Sequence, residues 1–243
     1  MCLRFAFITG FVFIVILSAG CVDMEKTPPP RDYPVERLTG KFDPVSHTEF
    51  VKIPAEYASR ADMYMHYEAF EAFRAMYYFA QSEWIRLVIV SATRDFSHQK
   101  AIWEWKWHTE RHRFPDPVSR ARFILRYSSM PGTSRHHWGT DIDLNSLKNS
   151  YFTSGEGRRV YRWLCENANR FGYYQVYTEK SDTRPTGYEK ENWHWSYIPI
   201  AGEMLKSYVE KVGLDDLSGF RGANTARELN IIKDYVQGIT EIE

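Results

Sequence analysis

The sequence is poor in cysteine and has no excess of charge of either sign. Its 243 residues include 31 basic and 31 acidic side chains, so the formal net charge is zero and a nucleic-acid partner is not expected. Of its three cysteines, Cys2 and Cys21 belong to an N-terminal apolar segment, which leaves Cys165 alone in the rest of the chain. If Cys2 is removed with that segment and Cys21 carries a lipid, no intrachain disulfide or cysteine-based metal cluster is possible, and any metal must be held by His, Asp or Glu.

The N-terminal segment has the pattern of a targeting sequence. Arg4 is followed by an uncharged apolar run over residues 5–17, by three small residues and then by Cys21. Small residues directly before a cysteine resemble the lipobox of bacterial lipoproteins, which implies a signal peptide over residues 1–20 and a lipid on Cys21. The alternative is an uncleaved membrane anchor, because the uncharged stretch 5–22 approaches the roughly 20 residues that span a bilayer.

A polar, proline-rich spacer is expected next, over residues 21–37. Its three consecutive prolines favour extended polyproline geometry. Under either interpretation of the N-terminus, this spacer connects the cell membrane to a single domain over residues 38–243 that lies outside the cytoplasm.

Apolar periodicity and cap residues predict a mixture of helices and short strands in that domain. Helices are expected over residues 66–84, 97–109, 116–128, 155–172, 201–213 and 226–239. Ser97 and Asp116 are expected to cap the starts of the second and third of these helices, and Gly172 to end the fourth. Strands are expected over residues 85–92, 173–178 and 192–198. Helices mixed with short strands that do not alternate regularly with them indicate an α+β fold, with a small, mostly antiparallel sheet and helices packed around it.

Two segments carry residues suited to metal chemistry. Residues 134–143 read SRHHWGTDID, and residues 191–195 read ENWHW. Together they supply His, Asp and His, with a spare Glu. A catalytic zinc site uses three protein ligands and one open position, with a carboxylate nearby to take a proton from water. The two segments therefore predict a zinc site, which we expect in a cleft on the sheet.

The same segments resemble a known family, the VanY-like D-alanyl-D-alanine carboxypeptidases. These are zinc peptidases of the bacterial cell wall with the hedgehog/DD-peptidase fold. The first segment matches Ser-x-His-x-x-Gly-x-x-x-Asp, and the second matches Glu-x-x-His flanked by tryptophans. Residues 93–99, TRDFSHQ, resemble a third family segment that follows the first strand. The resemblance covers roughly residues 38–199.

The resemblance implies a role for each matching residue. His136, Asp143 and His194 become the zinc ligands, and Glu191 becomes the general base that activates water at the zinc. Arg94 would stabilise the developing oxyanion or grip the carboxylate of the substrate. Further residues are expected to hold the substrate, namely Ser134 and Gln99.

Asp141 departs from the family pattern, which usually has alanine two places before the ligand aspartate. In a strand Asp141 and Asp143 point to the same face. We assign Asp141 to orienting a metal ligand or binding a substrate amine. The alternative is a solvated or arginine-paired carboxylate.

Several neighbouring residues are expected to have structural roles. His137 follows His136 directly and cannot face the same metal from a regular strand, so it is interpreted as a packed residue or a cleft wall. Packing is also expected for Trp193 and Trp195, and for most of the rings in the WEWKW stretch. A bend is expected between Glu191 and His194, because residues three apart in a strand face opposite sides.

The expected activity is removal of the C-terminal D-alanine from peptidoglycan stem peptides. Other activities on the same peptide share the metal site and stay open: L,D-carboxypeptidase, D,D-dipeptidase and L-alanyl-D-glutamate endopeptidase. A binding module with a structural zinc is disfavoured, because a structural site would usually be closed by four ligands.

Overall fold

The computed structural model describes residues 31–242. The predicted signal peptide (1–20), the predicted lipid attachment at Cys21 and the first part of the spacer (22–30) lie outside the described residues. No helix within residues 31–242 combines the length and the apolar character needed to cross a membrane.

The residues just before the predicted domain start are packed against the domain. Tyr33 is buried in a hydrophobic cluster. The guanidinium group of Arg37 is buried as well, and it donates hydrogen bonds to the carbonyl oxygens of His137 and Trp138 at 3.0 and 2.8 Å. The boundary at residue 38 stays a prediction.

The architecture is α+β, as predicted. The described α-helices are α1 (Val35–Leu38), α2 (Tyr67–Ser82), α3 (Phe96–Thr109), α4 (Pro117–Ile124), α5 (Gly155–Asn167) and α6 (Ile198–Lys211). The described strands are β1 (Phe50–Lys52), β2 (Tyr64–His66), β3 (Ile89–Ser91), β4 (Asp141–Leu144), β5 (Tyr173–Tyr174) and β6 (His194–Tyr197). All strand pairs are antiparallel: β1 pairs with β2, and the other four form a sheet in the order β3-β4-β6-β5.

The two central strands, β4 and β6, separate a polar face from an apolar one. Asp141 pairs with Ser196 and Asp143 with His194, so these four side chains share one face of the sheet. The opposite face packs into a hydrophobic cluster with α2 and α5 and carries Ile142, Leu144 and Trp195. This alternation explains why a buried sheet can present acids and a histidine together, since its other face forms the core.

The helix ends follow the local sequence closely. Asp116 caps α4 by accepting a hydrogen bond from the backbone N–H of Ser119, as predicted. The predicted serine cap of α3 is wrong: Asp95 is the cap, and its carboxylate accepts from the N–H of His98. Gly172 ends the α5 region in a left-handed conformation with φ of +77°, as predicted.

Several predicted elements are shorter than expected. The strand expected over residues 85–92 is limited to β3, and the helix expected over residues 116–128 is limited to α4. In two further cases the chain forms other contacts instead. The strand expected over residues 173–178 is limited to β5, since the Val176 carbonyl turns away from the sheet and accepts a hydrogen bond from the N–H of Thr240 at 2.9 Å. The helix expected over residues 226–239 is interrupted by Asn230, which has φ of +46°. Only Ile231–Val236 follows as a π-helical segment.

The tryptophan-rich helix α3 is a core element, as predicted. Trp103 and Trp107 are buried in the hydrophobic cluster that also contains residues of α4 and α6, whereas Trp105 is 66% exposed. The WEWKW stretch therefore places two rings in the core and one ring outside.

Candidate metal centre

His136 presents an unpaired ring nitrogen to the polar face of the sheet. It lies in a short 3₁₀ turn, Arg135–Trp138, which Gly139 ends with φ of +75° just before β4 begins. Its Nδ1 lies 2.9 Å from the carbonyl oxygen of Ala92 and donates to it, so Nε2 keeps the lone pair. That Nε2 atom is buried and has no hydrogen-bond partner among residues 31–242.

Asp143 and His194 face His136 from paired positions on β4 and β6. The Asp143 Oδ1 atom lies 3.4 Å from His136 Nε2 and 3.2 Å from His194 Nδ1. One potential ligand atom from each of the three residues lies within 4.8 Å of the other two, and all three side chains are buried. The structure thus brings together the three residues predicted to bind the metal.

Asp141 lies behind this group and contacts the far side of the His194 ring. Its Oδ2 atom accepts from His194 Nε2 at 2.8 Å and from Arg135 Nε at 3.1 Å. Its Oδ1 atom accepts from the hydroxyl groups of Thr140 and Ser196, each at 2.8 Å. Because Nε2 of His194 is occupied in this way, Nδ1 is the nitrogen turned towards Asp143.

The electrostatics of this face favour a positive charge between the acids. Burial lowers the pKa of His194, but hydrogen bonds and charges from Asp141 and Asp143 outweigh burial and raise it to about 9. Burial raises the pKa values of Asp141 and Asp143. Arg135 and the histidines nevertheless hold the pKa of Asp141 well below its usual range, and His136 and His194 do the same for Asp143. For His136, burial and the nearby charge of Arg94 lower the pKa, so its ring favours the neutral form that a metal requires.

Glu191 reaches the same group from a turn that precedes β6. The chain bends at Asn192 and Trp193, which confirms the predicted bend and lets the Glu191 Oε2 atom approach within 3.7 Å of His194 Nδ1. Burial raises the pKa of Glu191 to about 8; His194 and Arg94 partly oppose this effect, whereas Asp143 adds to it. The carboxyl group therefore titrates near neutral pH, the range in which a general base works well.

The predicted substrate-binding residues lie at different depths. Arg94 is close to the metal group, with Nη2 4.0 Å from Asp143 Oδ2, and Ser134 is buried beside the same cleft. Gln99 is buried in α3, where its amide nitrogen donates to the Ser129 carbonyl at 2.8 Å. Gln99 does not line the cavities next to the metal group that are described below.

His137 is packed into the domain, in agreement with its predicted structural role. Its Nδ1 donates to the Arg94 carbonyl, 2.6 Å away, and its Nε2 accepts from the N–H of Gly132 at 3.1 Å. Both ring nitrogens are therefore used, and burial lowers the pKa of His137 to about 3. The two adjacent histidines therefore differ: both ring nitrogens of His137 form hydrogen bonds, whereas Nε2 of His136 has no hydrogen-bond partner among the described residues.

Two cavities border the metal group and share four lining residues: Arg94, Tyr127, Ser128 and Glu191. The smaller has a volume of about 20 Å³ and also contacts Ser134, His136 and His194. The larger has a volume of about 490 Å³ and extends along α3. Its other lining residues include Asp143, Lys106, Lys148 and Trp193.

Sequence reasoning missed two residues at this site. Tyr177 packs its ring 4.6 Å from the ring of His194, and nothing in the local sequence marks it. Lys106 lines the larger cavity. It lies seven residues after Gln99 on α3, a spacing that places both on one face of a helix, so this signal was available.

The three residues fit a zinc ion. Zinc accepts two imidazole nitrogens and a carboxylate oxygen in a catalytic site, and here each imidazole is held through its other nitrogen, by the Ala92 carbonyl or by Asp141. The unpartnered Nε2 of His136 is accounted for by such an ion. Three ligands with a separate carboxylate alongside form the type of site that metal-dependent hydrolases use.

The family model of VanY, D-alanyl-D-alanine carboxypeptidase, matches residues 62–200, more than half of the chain. The chain therefore belongs to this family of carboxypeptidases. The matched region contains all three candidate metal ligands, Glu191 and Arg94.

The chain is also similar to individual proteins of known sequence or structure. A D-alanyl-D-alanine carboxypeptidase of Enterococcus faecalis is 27% identical over 137 residues, which cover 56% of this chain and 49% of that protein. The chain spans about half the length of the curated relatives it matches. The L,D-carboxypeptidase LdcB has a TM-score of 0.50 at 21% identity, over 81% of this chain and 80% of that chain. VanYB in complex with D-Alanine-D-Alanine has a TM-score of 0.49 at 23% identity, over 65% of this chain and 88% of that chain. At such identities the LdcB match shows a shared fold.

Proposed function

We propose that this chain is a zinc-dependent D,D-carboxypeptidase that removes the C-terminal D-alanine from peptidoglycan stem peptides. The observation that carries the proposal is the buried group of His136, Asp143 and His194, with Glu191 at its edge. Membership of the VanY family supports the type of bond and the type of substrate.

His136 Nε2, His194 Nδ1 and an oxygen of Asp143 would hold the zinc. A bound Zn²⁺ would supply Lewis acidity, since it polarises a carbonyl group and lowers the pKa of bound water to about 7. The remaining tasks fall to side chains of this chain. Asp141 fixes the His194 ring through Nε2, which keeps Nδ1 directed at the site.

Glu191 would take a proton from the attacking water and later deliver it to the leaving amine. Its raised pKa suits both steps near neutral pH. Arg94 would face the negative charge that develops on the scissile carbonyl oxygen. Ser134, which lines the smaller cavity, would support binding of the substrate. Gln99 would act indirectly, because its amide holds the carbonyl of Ser129 in the wall of that cavity.

The envelope location belongs to the same proposal. A signal peptide over residues 1–20, a lipid on Cys21 and a spacer before a domain at residues 38–243 would place the cleft beside the cell wall. Intact-mass measurement of the membrane-extracted protein tests this arrangement. The expected mass is that of a chain starting at a diacylated or triacylated Cys21.

Hydrolysis can be tested with purified muropeptides. The zinc-loaded chain should release D-alanine from a pentapeptide and leave a tetrapeptide intact, as followed by mass spectrometry, and a chelator should abolish the release. Cleavage of the tetrapeptide alone would contradict D,D-specificity and indicate an L,D-carboxypeptidase. Release of a dipeptide would indicate a D,D-dipeptidase.

A further inference from the structure

Lys106 is a half-buried cation in the cleft wall that lacks an acidic partner. It lies in the last turn of α3, where its Nζ donates to the hydroxyl group of Ser128. No acidic side chain among residues 31–242 forms an ion pair with it. Lys100, six residues earlier in α3, differs in this respect because its Nζ lies 3.9 Å from a carboxylate oxygen of Glu104.

Leaving this ammonium group unpaired has a cost in free energy. Burial and the charge of Arg94 lower the pKa of Lys106, and the charge of Glu191 opposes this only in part, so the surroundings on balance disfavour the charged form. A neutral side chain such as glutamine would satisfy Ser128 equally well without that cost. Lys106 therefore has the properties of a residue that binds an anion supplied by a ligand.

The charges that line the larger cavity are divided between its two sides. Its two acids, Asp143 and Glu191, both belong to the metal group, where they face His136 and His194. The cations that line it are Arg94, Lys106 and Lys148. Once Asp143 is engaged with the histidines or a metal, three cations face one remaining acid, Glu191, and the cavity carries an excess of positive charge.

Arg94 and Lys106 are placed for different parts of a substrate. Arg94 Nη2 lies 4.0 Å from Asp143 Oδ2, beside the group where hydrolysis would occur. Lys106 is anchored to Ser128 on the α3 side of the cavity, which also contains Ile102 and Tyr127. The two cations therefore need not compete for one anionic group.

We propose that Lys106 is a specificity-determining residue that binds a carboxylate group of the peptide substrate, while Arg94 faces the scissile carbonyl. This inference rests on the proposed function, because it names the chemistry recognised in the same cleft. The carboxylate has two sources in a stem peptide: the C-terminal D-alanine, or an acidic residue on the other side of the scissile bond. Both would form a charge-assisted hydrogen bond with the Nζ group.

Peptide binding separates these sources without depending on turnover. Two peptides end in D-alanyl-D-alanine with all amines acetylated; one has only its terminal carboxylate, and the other has one additional D-glutamate upstream. Calorimetry measures their Kd for the zinc-loaded full chain carrying Glu191→Gln, alone or combined with Lys106→Met. The matched control is Lys100→Met, which removes a charge from the same helix outside the cavity.

Lys106→Met should raise Kd by about 10- to 100-fold, the range expected for losing one hydrogen bond to a charged group. If both peptides weaken equally, the terminal carboxylate is the partner; if only the glutamate peptide weakens, the upstream group is. Lys106→Gln, which keeps a donor for Ser128 but no charge, should weaken binding to a similar extent.

Unchanged affinity for both peptides in Lys106→Met would overturn the inference. Full affinity in Lys106→Gln, or an equal loss in Lys100→Met, would also overturn it, since the effect would then come from packing or from net charge. Failure of the Glu191→Gln chain to bind either peptide would count against it as well. Release of D-alanine by the chain with Glu191 intact is measured separately. A failure of the proposed function can therefore be distinguished from a failure of the inference about Lys106.

Discussion

Asp141 and Asp143 lie two residues apart on one face of β4, and both are buried, but their surroundings differ. Asp141 accepts four hydrogen bonds, from the side chains of Arg135, His194, Thr140 and Ser196. A buried carboxylate satisfied to this extent behaves as a structural group, because nothing further is needed to stabilise its charge.

Asp143 has a much less complete set of partners. It contacts His194 Nδ1 at 3.2 Å, while the lone pair of His136 Nε2 lies 3.4 Å away and Arg94 is 4.0 Å away. Electron-rich atoms that converge in a buried place require a cation between them. The complete set of hydrogen bonds at Asp141 therefore supports the site, whereas the incomplete set at Asp143 leaves that carboxylate free to bind a metal.

The same substitution at the two aspartates should have different main effects, on zinc affinity for Asp143 and on stability for Asp141. Asp143→Asn removes the charge of a ligand, so the affinity for Zn²⁺ should fall by more than about 100-fold, the upper range for loss of a supporting contact. Hydrolysis of a pentapeptide should become undetectable at stoichiometric zinc. Isothermal titration with zinc and a D-alanine release assay measure both effects. Retention of zinc by Asp143→Asn would show that Asp143 is not a ligand.

Glu191→Gln should separate metal binding from hydrolysis. The substitution keeps the shape of the side chain but removes the group that accepts a proton, so kcat should fall by about 10²- to 10⁴-fold. Zinc content, measured by atomic absorption after dialysis, should match that of the unchanged protein. Activity within a few-fold of the unchanged protein would contradict the role of Glu191 as the base.

Asp141→Asn should weaken the support of the site rather than remove a ligand. Because the His194 ring loses its charged acceptor, the affinity for zinc should fall by about 10- to 100-fold. The metal-free protein should also lose about 3 kcal/mol of unfolding free energy, since Arg135 stays buried without its charged partner. Urea unfolding in the presence of a chelator measures this loss.

Asp143→Asn is the matched control for that stability measurement. The metal-free Asp143→Asn protein should unfold at a urea concentration closer to that of the unchanged protein, because Asp143 has few partners to lose. A greater loss of stability in Asp143→Asn than in Asp141→Asn would reverse the comparison between the two carboxylates.

Much of this site was predictable from the order and spacing of its residues. The spacing of Asp141 and Asp143 indicates a shared strand face, and the motifs predict that His136 and His194 converge with Asp143, as observed. Of the two adjacent histidines, His136 keeps an open ring nitrogen, whereas both nitrogens of His137 are used by the backbone.

What sequence could not provide was the set of contacts between distant segments. Arg135 is adjacent to His136, but its pairing with Asp141 and Ser196 depends on how β4 and β6 are aligned. Tyr177 reaches His194 because the chain leaves the sheet after β5, where an extended strand was expected. Local sequence patterns predict that a helix or strand forms, but they do not specify the residue at which the chain leaves it.

The smallest expected effect is at His66, which tests what burial does to an open ring nitrogen outside the metal group. Like His136 it has a buried Nε2 without a hydrogen-bond partner among residues 31–242, but it is not part of the metal group. Burial lowers the pKa of His66 to about 4, against about 6.5 for the unfolded chain. The folded state therefore keeps it neutral, and its contribution to stability is complete above pH 6.5. As the pH falls from 6.5 towards 4, the unfolded chain alone takes up the proton.

His66→Asn should remove this dependence, because asparagine does not titrate and can still accept from the N–H of Glu68 as the cap of α2. Relative to the unchanged protein, the free energy of unfolding of His66→Asn should rise by about 1 kcal/mol for each unit by which the pH falls from 6 to 4. Urea unfolding of both proteins in the presence of a chelator measures this difference without zinc-linked protons. Parallel pH profiles of the two proteins would mean that the open nitrogen of His66 takes up a proton in the folded state as readily as in the unfolded state. Burial would then not keep the His66 ring neutral.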